Sequence, residues 1–301
     1  PCIGRCQHAP VAVVKFNPID NANLKNVKQA TDTKAYSPTI PKYIDMDEYI
    51  KKDGYKLFEK LKNNEPEKEK VLKELENSNL RGLGGAGFPA GKKWRILKDQ
   101  KAPRLLAVNI DEGEPGTFKD RYYLNKDPHR FLEGTLVAAK LVEAEKCYIY
   151  IRDEYYGLIK LIEKQINILE DNKIIPKNYL LIRRGAGAYI CGEESALIES
   201  IEGKRGLPRN RPPYVAEVGL FGKPTLVHNV ETVYWIREIF EKGGKWFSSH
   251  GRNGRKGLRT FSVSGFVKNP GIKLTDAGIT IKELIDEHCG GMLKGHKFKG
   301  Y

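Results

Sequence analysis

The sequence predicts an α/β fold that holds ligands at the ends of its strands. Two observations carry this. Short apolar runs of strand length alternate with amphipathic stretches of helical period, and glycine-rich segments sit at the junctions between them. The length of 301 residues allows a main domain and a smaller second one.

The elements follow in chain order. Residues 1–16 join the segment CIGRC to a strand-like run, APVAVVKF. Residues 17–55 are polar and proline-bearing and read as a linker. Between Asn64 and Asn79, the apolar residues Val71, Leu72 and Leu75 have helical spacing, with Pro66 near the start. A glycine-rich stretch, LRGLGGAGFPAGKKW, runs from Leu80 to Trp94. Leu105 to Val108 forms a short buried strand and leads into the acidic NIDEGEPGTFKDR. Phe131 to Ala144 is helical, Cys147 to Ile151 a strand, and Leu158 to Leu169 a helix. Tyr179 to Ile182 is a strand ending at GAGAYICGEE, followed by a helix from Ser195 to Ile201. Residues 203–224, rich in Gly, Pro and Arg, form an extended loop. Asn229 to Phe240 is helical, and residues 242–259 make a basic, glycine-rich connection. From Thr260 a strand, TFSVSGFV, leads to a turn at Asn269-Pro270-Gly271, and Thr280 to Cys289 is helical. The predicted organisation is a leading segment 1–16, a linker 17–55, a main domain 56–258 and the start of a second domain 259–301.

Composition narrows the function classes. Apolar residues make up 40% of the chain, charged residues 30%, and the mean hydropathy is −0.52, with no apolar run long enough to span a bilayer. The net charge of +14 comes from scattered lysines and arginines rather than one dense stripe. That pattern reads as a solvated basic surface with phosphate sites, not a nucleic-acid interface. The cysteines, Cys2, Cys6, Cys147, Cys191 and Cys289, are odd in number and mostly far apart, which fits a reducing, cytoplasmic compartment. The chain starts Pro-Cys rather than with Met and has no evident end, so it is expected to be an internal piece of a longer protein.

Four segments carry chemistry. The glycine stretch can aim several backbone N–H groups at an anion, with Lys92 and Lys93 adding charge beside a phosphate. Its spacing is neither a Walker nor a Rossmann fingerprint. Phe88, Pro89 and Trp94 at fixed places favour a dinucleotide or flavin site over a flexible turn. In Asn109–Gly116 the carboxylates suit ribityl, ribose or ring N–H donors better than phosphate; alone, such a stretch reads as a capped acidic turn. Gly185–Ser195 places glycines between a strand and a helix, where helix N–H groups meet a ligand, and Tyr189 can stack or hydrogen-bond. In Thr225–Thr232, Asn and Thr at a helix start read first as caps, and His228 as structural.

These four motifs, in this order, resemble the flavin- and NADH-binding subunit of respiratory complex I and its soluble relatives, over residues 56–301. The resemblance implies a Rossmann-like domain binding FMN and NAD. It places FMN against Gly82, Gly84, Lys93, Asn109, Asp111, Glu112, Gly192, Glu193, Asn229 and Thr232, and NAD near Gly85, Phe88, Glu114, Glu194 and Tyr214. It implies hydride transfer carried by FMN, with no side chain acting as nucleophile or general base. Leu83, Ile96 and His228 depart from the complex I pattern and point to a soluble relative.

Within the family, RGLGGAGFPAGKKW, VNIDEGEPGTFKDRYYL, RRGAGAYICGEESALIESIEGKRGLPR and GRKGLRTFSVSGFVKNPGIKL are similar to the β subunit of NAD-dependent formate dehydrogenases. That resemblance implies two partners: an iron–sulfur α subunit carrying a molybdopterin- or tungstopterin-type centre, and a small thioredoxin-like [2Fe–2S] γ subunit. It also implies a [4Fe–4S] cluster whose ligands lie past Tyr301. The leading segment resembles part of a thioredoxin-like [2Fe–2S] domain, so Cys2 and Cys6 are candidate iron ligands, or the domain is a version without a cluster; two thiolates do not complete one. Residues 259–301 resemble the start of a β-grasp domain of the soluble-ligand-binding type. The alternatives are the diaphorase of an NAD-reducing hydrogenase, the complex I subunit itself, and a non-catalytic electron-transfer or scaffold subunit. Retention of Gly84, Lys93, Glu194 and Asn229 argues against the last.

Overall fold

The computed structural model describes residues 2–62 and 64–300. Pro1 and Tyr301, the outer bounds of the expected first and last segments, lie outside the described residues. The chain folds around a four-stranded parallel sheet of β3 (Arg104–Ile110), β4 (Ala144–Ile151), β5 (Leu180–Arg184) and β6 (Thr225–Asn229), in the spatial order β5-β4-β3-β6. Parallel strands covered on both faces read as continuous apolar runs. Leu105–Val108 and Cys147–Ile151 are such runs, and every residue in them is buried.

The pleat divides these residues between two cores. Leu106, Val108, Ile110, Cys147, Ile149 and Ile151 face the larger core with α5 (Ala90–Lys98), α7 (Pro128–Leu141) and α8 (Tyr156–Asp171). Leu105, Ala107, Tyr148 and Tyr150 face a thinner layer, α9 (Glu194–Ile201), with Val215 and Leu220 from the long loop. α7 starts where Asp127 accepts from the Arg130 N–H at 2.9 Å and Pro128 fits the first turn.

The functional consequence lies in the strand order. β3 has β4 on one side and β6 on the other, so the crossovers leave it in opposite directions. Asn109 near the end of β3 stands beside Asn229 at the end of β6. Such a reversal opens a crevice at the carboxyl ends of the strands.

The structure differs from the sequence reading in several places. Thr225–Asn229, read as the approach to a helix, is the edge strand β6. Five residues abutting a helix show too little alternation to declare a strand. The helical stretch after it is two helices, α10 (Val230–Tyr234) and α11 (Ile236–Lys242). Residues 17–55, expected as a linker, hold β2 (Asn17–Ile19, paired with β1, Ala12–Val14), α1 (Leu24–Asp32) and α2 (Met46–Ile50). There, side chains too sparse to show a period are anchored by Tyr49, which is buried and donates to the buried Glu133 carboxylate at 2.6 Å. The expected helix at Thr280–Cys289 is a short α13 (Ile281–Glu283) followed by a wider π turn over Leu284–His288.

Between these, α3 (Lys56–Leu61) and α4 (Glu65–Asn77) precede the glycine stretch, α6 (Lys119–Lys126) precedes α7, and α12 (Gly244–Ser249) lies inside the basic connection. The last block is an antiparallel pair, β7 (Leu258–Val263) and β8 (Gly271–Asp276), over a small core of Val267, Ile285 and Cys289. It is tied to α6: Thr260 Oγ1 lies 2.6 Å from the Tyr123 hydroxyl, and Ser262 Oγ accepts from the Phe118 N–H at 2.9 Å. Among the described residues, no helix is long and apolar enough to cross a membrane.

Candidate functional site

A cavity of about 590 Å³ opens at the carboxyl ends of β3 and β6. Four chain segments form it: the glycine stretch, the acidic loop after β3 with the start of α6, the turn before α9, and the end of β6; Arg259 of β7 joins them. Of the residues expected to bind a cofactor, the cavity brings together Gly84, Gly85, Asn109, Asp111, Glu112, Glu114, Tyr189, Gly192, Glu193 and Asn229.

Backbone geometry explains the glycines. At Gly84 a Cβ would come 2.9 Å from the Asn229 Cβ, so glycine is what lets the loop lie against the end of β6. Gly85 has φ +119 with nothing within 4 Å of where a Cβ would stand; it needs the left-handed backbone and faces open space.

The polar groups at the strand ends divide into those consumed by the fold and those left over. Asn109 Nδ2 donates to the Gly192 carbonyl at 2.8 Å, joining two walls, while its Oδ1 accepts from the Asp111 N–H at 2.9 Å. The Glu112 carboxylate is fully engaged. It accepts from the backbone N–H groups of Asp120 (2.8 Å) and Arg121 (3.2 Å) and from the Tyr155 hydroxyl (2.9 Å). Burial first, then the Asp120 charge, pushes its carboxyl up to about 7. Asp111 differs: its Oδ2 is buried without a partner, and burial first pushes its carboxyl up to about 6. An orphaned buried acceptor at a cavity wall is positioned for a ligand donor.

The same wall holds a charged cluster. Lys119 Nζ donates to Asp120 Oδ1 at 2.7 Å and Asn229 Oδ1 at 3.1 Å, and sits 3.2 Å from a Glu231 oxygen. Asn229 Nδ2 donates to Asp120 Oδ2 at 2.6 Å, and its Oδ1 also caps α10 by accepting from the Glu231 N–H. Burial works to lower the Lys119 pKa, but the charges of Asp120, Glu231 and Glu112 outweigh it and hold the ammonium charged. At the mouth, the Tyr189 hydroxyl donates to Glu114 at 2.6 Å while its ring stays exposed.

Six expected residues do not line the cavity. Lys93, expected beside a phosphate, instead bonds Glu194 at 3.1 Å and the Val227 carbonyl at 2.9 Å. Glu194, expected near NAD, is held by Lys93 and by Arg211 at 3.3 Å, and Arg211 also pairs with Glu193. Thr232 Oγ1 accepts from the Leu83 N–H at 2.9 Å, anchoring the glycine stretch from behind. The Gly82 N–H donates to the Phe88 carbonyl at 2.9 Å, closing that loop, and the Phe88 ring is exposed beside it. Tyr214 stands exposed on the long loop, its N–H bonded to Glu217 at 2.9 Å. Cys2 and Cys6 hold their Sγ atoms 3.9 Å apart, and among the described residues no third metal-binding side chain joins them. His228 is structural in the way its surroundings suggest: buried, with Nε2 accepting from the Trp94 indole at 2.5 Å.

Sequence reasoning passed over Lys119, Asp120 and Arg259. Lys119-Asp120 sits inside the quoted KDR, where a charge pair at a helix start looks like a solvated cap. Arg259 ends a run of basic residues and has no signal separating it from its neighbours.

The Nuo51 FMN-binding domain family model matches residues 75–238, more than half of the chain and the whole of the sheet and cavity walls other than Arg259. The chain is 47% identical over 239 residues to the mitochondrial NADH-ubiquinone oxidoreductase 51 kDa subunit of Neurospora crassa, covering 75% of this chain and 48% of that protein. It is 46% identical over 239 residues to the mitochondrial NADH dehydrogenase [ubiquinone] flavoprotein 1 of Dictyostelium discoideum, covering 76% of this chain and 50% of that one. The chain thus spans about half the length of these relatives. In structure it resembles a chain of an air-oxidised NAD+-reducing [NiFe]-hydrogenase, with a TM-score of 0.83 at 32% identity, covering 97% of this chain and 53% of that one.

Proposed function

The chain belongs to the Nuo51 FMN-binding domain family, and from that premise we propose that it is the diaphorase component of an NAD-dependent formate dehydrogenase. The observation that carries the flavin part is the cavity at the sheet's reversal point, with glycine-permitted close approach at Gly84 and an unpartnered buried acceptor at Asp111. Those features fit FMN: a planar polar ring needs a donor-accepting wall, and a phosphate tail needs a glycine loop free of side chains. Asp111, Asn109, Asn229, Gly84 and Gly192 would hold it. When bound, FMN supplies hydride exchange with NAD(H) and one-electron exchange with iron–sulfur centres.

The chain's own residues do the rest. Asp111 accepts from a ring or ribityl donor, and the engaged Glu112 keeps the acidic loop rigid. Lys119 offsets the carboxylates of Asp120 and Glu231 so that the wall does not repel a ligand. Tyr189 and Phe88, exposed on separate segments, offer rings for stacking a nicotinamide or adenine and excluding water. NAD would then lie over the mouth, near Gly85, Glu114, Glu194 and Tyr214. The family also carries a [4Fe–4S] cluster, which would pass electrons onward.

Formate as the electron source rests on the resemblance of the four quoted segments to formate dehydrogenase β subunits. The pterin-bearing α subunit and the [2Fe–2S] γ subunit follow from the same resemblance. The similarity to the hydrogenase chain favours a second reading, the diaphorase of an NAD-reducing hydrogenase. Purifying the native assembly and assaying NAD+ reduction with formate and with hydrogen separates the two. Reduction with formate alone is the expected result; reduction with hydrogen alone moves the chain to the hydrogenase type and leaves the flavin site standing.

A further inference from the structure

We propose that Arg259, carried into the cavity by the first strand of the second lobe, is the counter-charge for the phosphate of bound FMN; this rests on the flavin reading above. Five carboxylates line the cavity, those of Asp111, Glu112, Glu114, Asp120 and Glu193, against two basic side chains, Lys119 and Arg259. A phosphate monoester carries close to two negative charges at neutral pH. Set among those carboxylates, it needs a cation with charge to spare.

Lys119 has none to spare. Its ammonium is buried within 3.2 Å of both Asp120 and Glu231. Lys93, the sequence's first choice for this role, is turned away and committed to Glu194. Arg211 is committed to Glu193 and Glu194. Among the described residues Arg259 alone lines the cavity as a cation with no hydrogen bond or ion pair to any carboxylate. Backbone N–H groups of the glycine stretch can orient phosphate oxygens but bring no net charge. A guanidinium brings both, with paired donors matched to phosphate oxygens.

The placement of β7 supports this. Thr260 and Ser262, on either side of Phe261, bond Tyr123 and Phe118 at and just before α6. The first residues of α6, Lys119 and Asp120, line the same cavity. Arg259 is therefore held at the cavity by a strand clamped to one of its walls. The second lobe completes the cofactor site rather than merely following it.

The test compares FMN with riboflavin, which shares the ring and ribityl chain but lacks the phosphate. Binding to the full chain is read by quenching of flavin fluorescence for the wild type, Arg259→Met and Arg259→Lys. The expected result is a loss of about 10- to 100-fold in FMN affinity for Arg259→Met, riboflavin affinity unchanged, and most of the FMN affinity kept by Arg259→Lys. The salt dependence of FMN binding should weaken in Arg259→Met alone. Equal loss for both flavins would overturn the assignment in favour of a structural role, and no loss for either would overturn it outright. Unchanged flavin binding with weakened NADH binding to the FMN-loaded variant would overturn it in favour of the dinucleotide's phosphates. A wild-type chain that binds neither flavin would instead overturn the flavin reading on which the assignment rests.

Discussion

Asp111 shows how one carboxylate can work for a ligand and against the fold. Exposed, its carboxyl titrates near 3.8; in the fold it is pushed to about 6, first by burial. The folded chain therefore holds that proton more tightly than the unfolded chain does. The resulting stabilisation is fully present below about 3.8 and is lost as pH rises through about 6. At pH 8 the fold carries a half-buried charge whose Oδ2 has no partner. Asp111→Asn should then stabilise the ligand-free chain at pH 8 by about 1–2 kcal/mol given its partial exposure, seen as a higher thermal midpoint, with the gain vanishing toward pH 4. The same change should weaken flavin binding, because the acceptor is lost. Thermal melts across pH with and without FMN check both. A variant less stable than wild type at pH 8 would mean that Asp111 is satisfied within the fold and does not await a ligand.

At the scale of elements, the close contact between α7 and α10 holds the helix whose N-cap, Asn229, lines the cavity. Gly134 lies in the interior of α7, where alanine would ordinarily gain about 1 kcal/mol of helix propensity. Here a Cβ at Gly134 would stand 2.0 Å from the Val233 carbonyl oxygen of α10. Propensity and packing oppose each other, and packing is the larger: forcing backbone segments apart in a close-packed core costs about 1–3 kcal/mol or more. α10 is capped by Asn229, so the displacement would reach the cavity. Gly134→Ala should lower stability by at least about 1 kcal/mol in denaturant melts and weaken FMN binding at the same time. A stabilised variant would show that the two helices slide apart freely and do not fix the position of Asn229.

For the molecule as a whole, one cavity draws on most of the chain, from the glycine stretch at Gly84 to Arg259 on β7. A ligand bound only by the assembled fold stabilises it by mass action, about 2.7 kcal/mol at a free concentration one hundred times Kd. For a chain of 301 residues that corresponds to a rise of about 4 °C in the thermal midpoint. FMN at that concentration should produce such a rise and raise main sheet and second lobe together in one transition. A second lobe that melts at an unchanged temperature while the sheet is protected would show that β7 does not share in the site.

The sequence by itself determined the fold class, three of the four sheet strands and the four chain segments that meet at the cavity. Those are encoded locally: the short apolar runs Leu105–Val108 and Cys147–Ile151, bounded by turn residues, read as buried strands, and a glycine run or an acidic turn after a strand declares a junction. It also led to the family through motif order. What it did not determine was which charges are free. Lys93 and Glu194, each plausible toward a ligand, satisfy one another across 101 positions of chain. Glu112 is consumed by α6 and Tyr155, and Arg259 is left unpaired. Ion pairing depends on distances between residues far apart in sequence, and side-chain type carries no record of them. The short strand Thr225–Asn229 was hidden for a related reason: five residues show no period, and their state is set by hydrogen bonds to β3 rather than by their own composition. Only the tertiary structure decided those pairings, and with them which of the expected residues face the cavity.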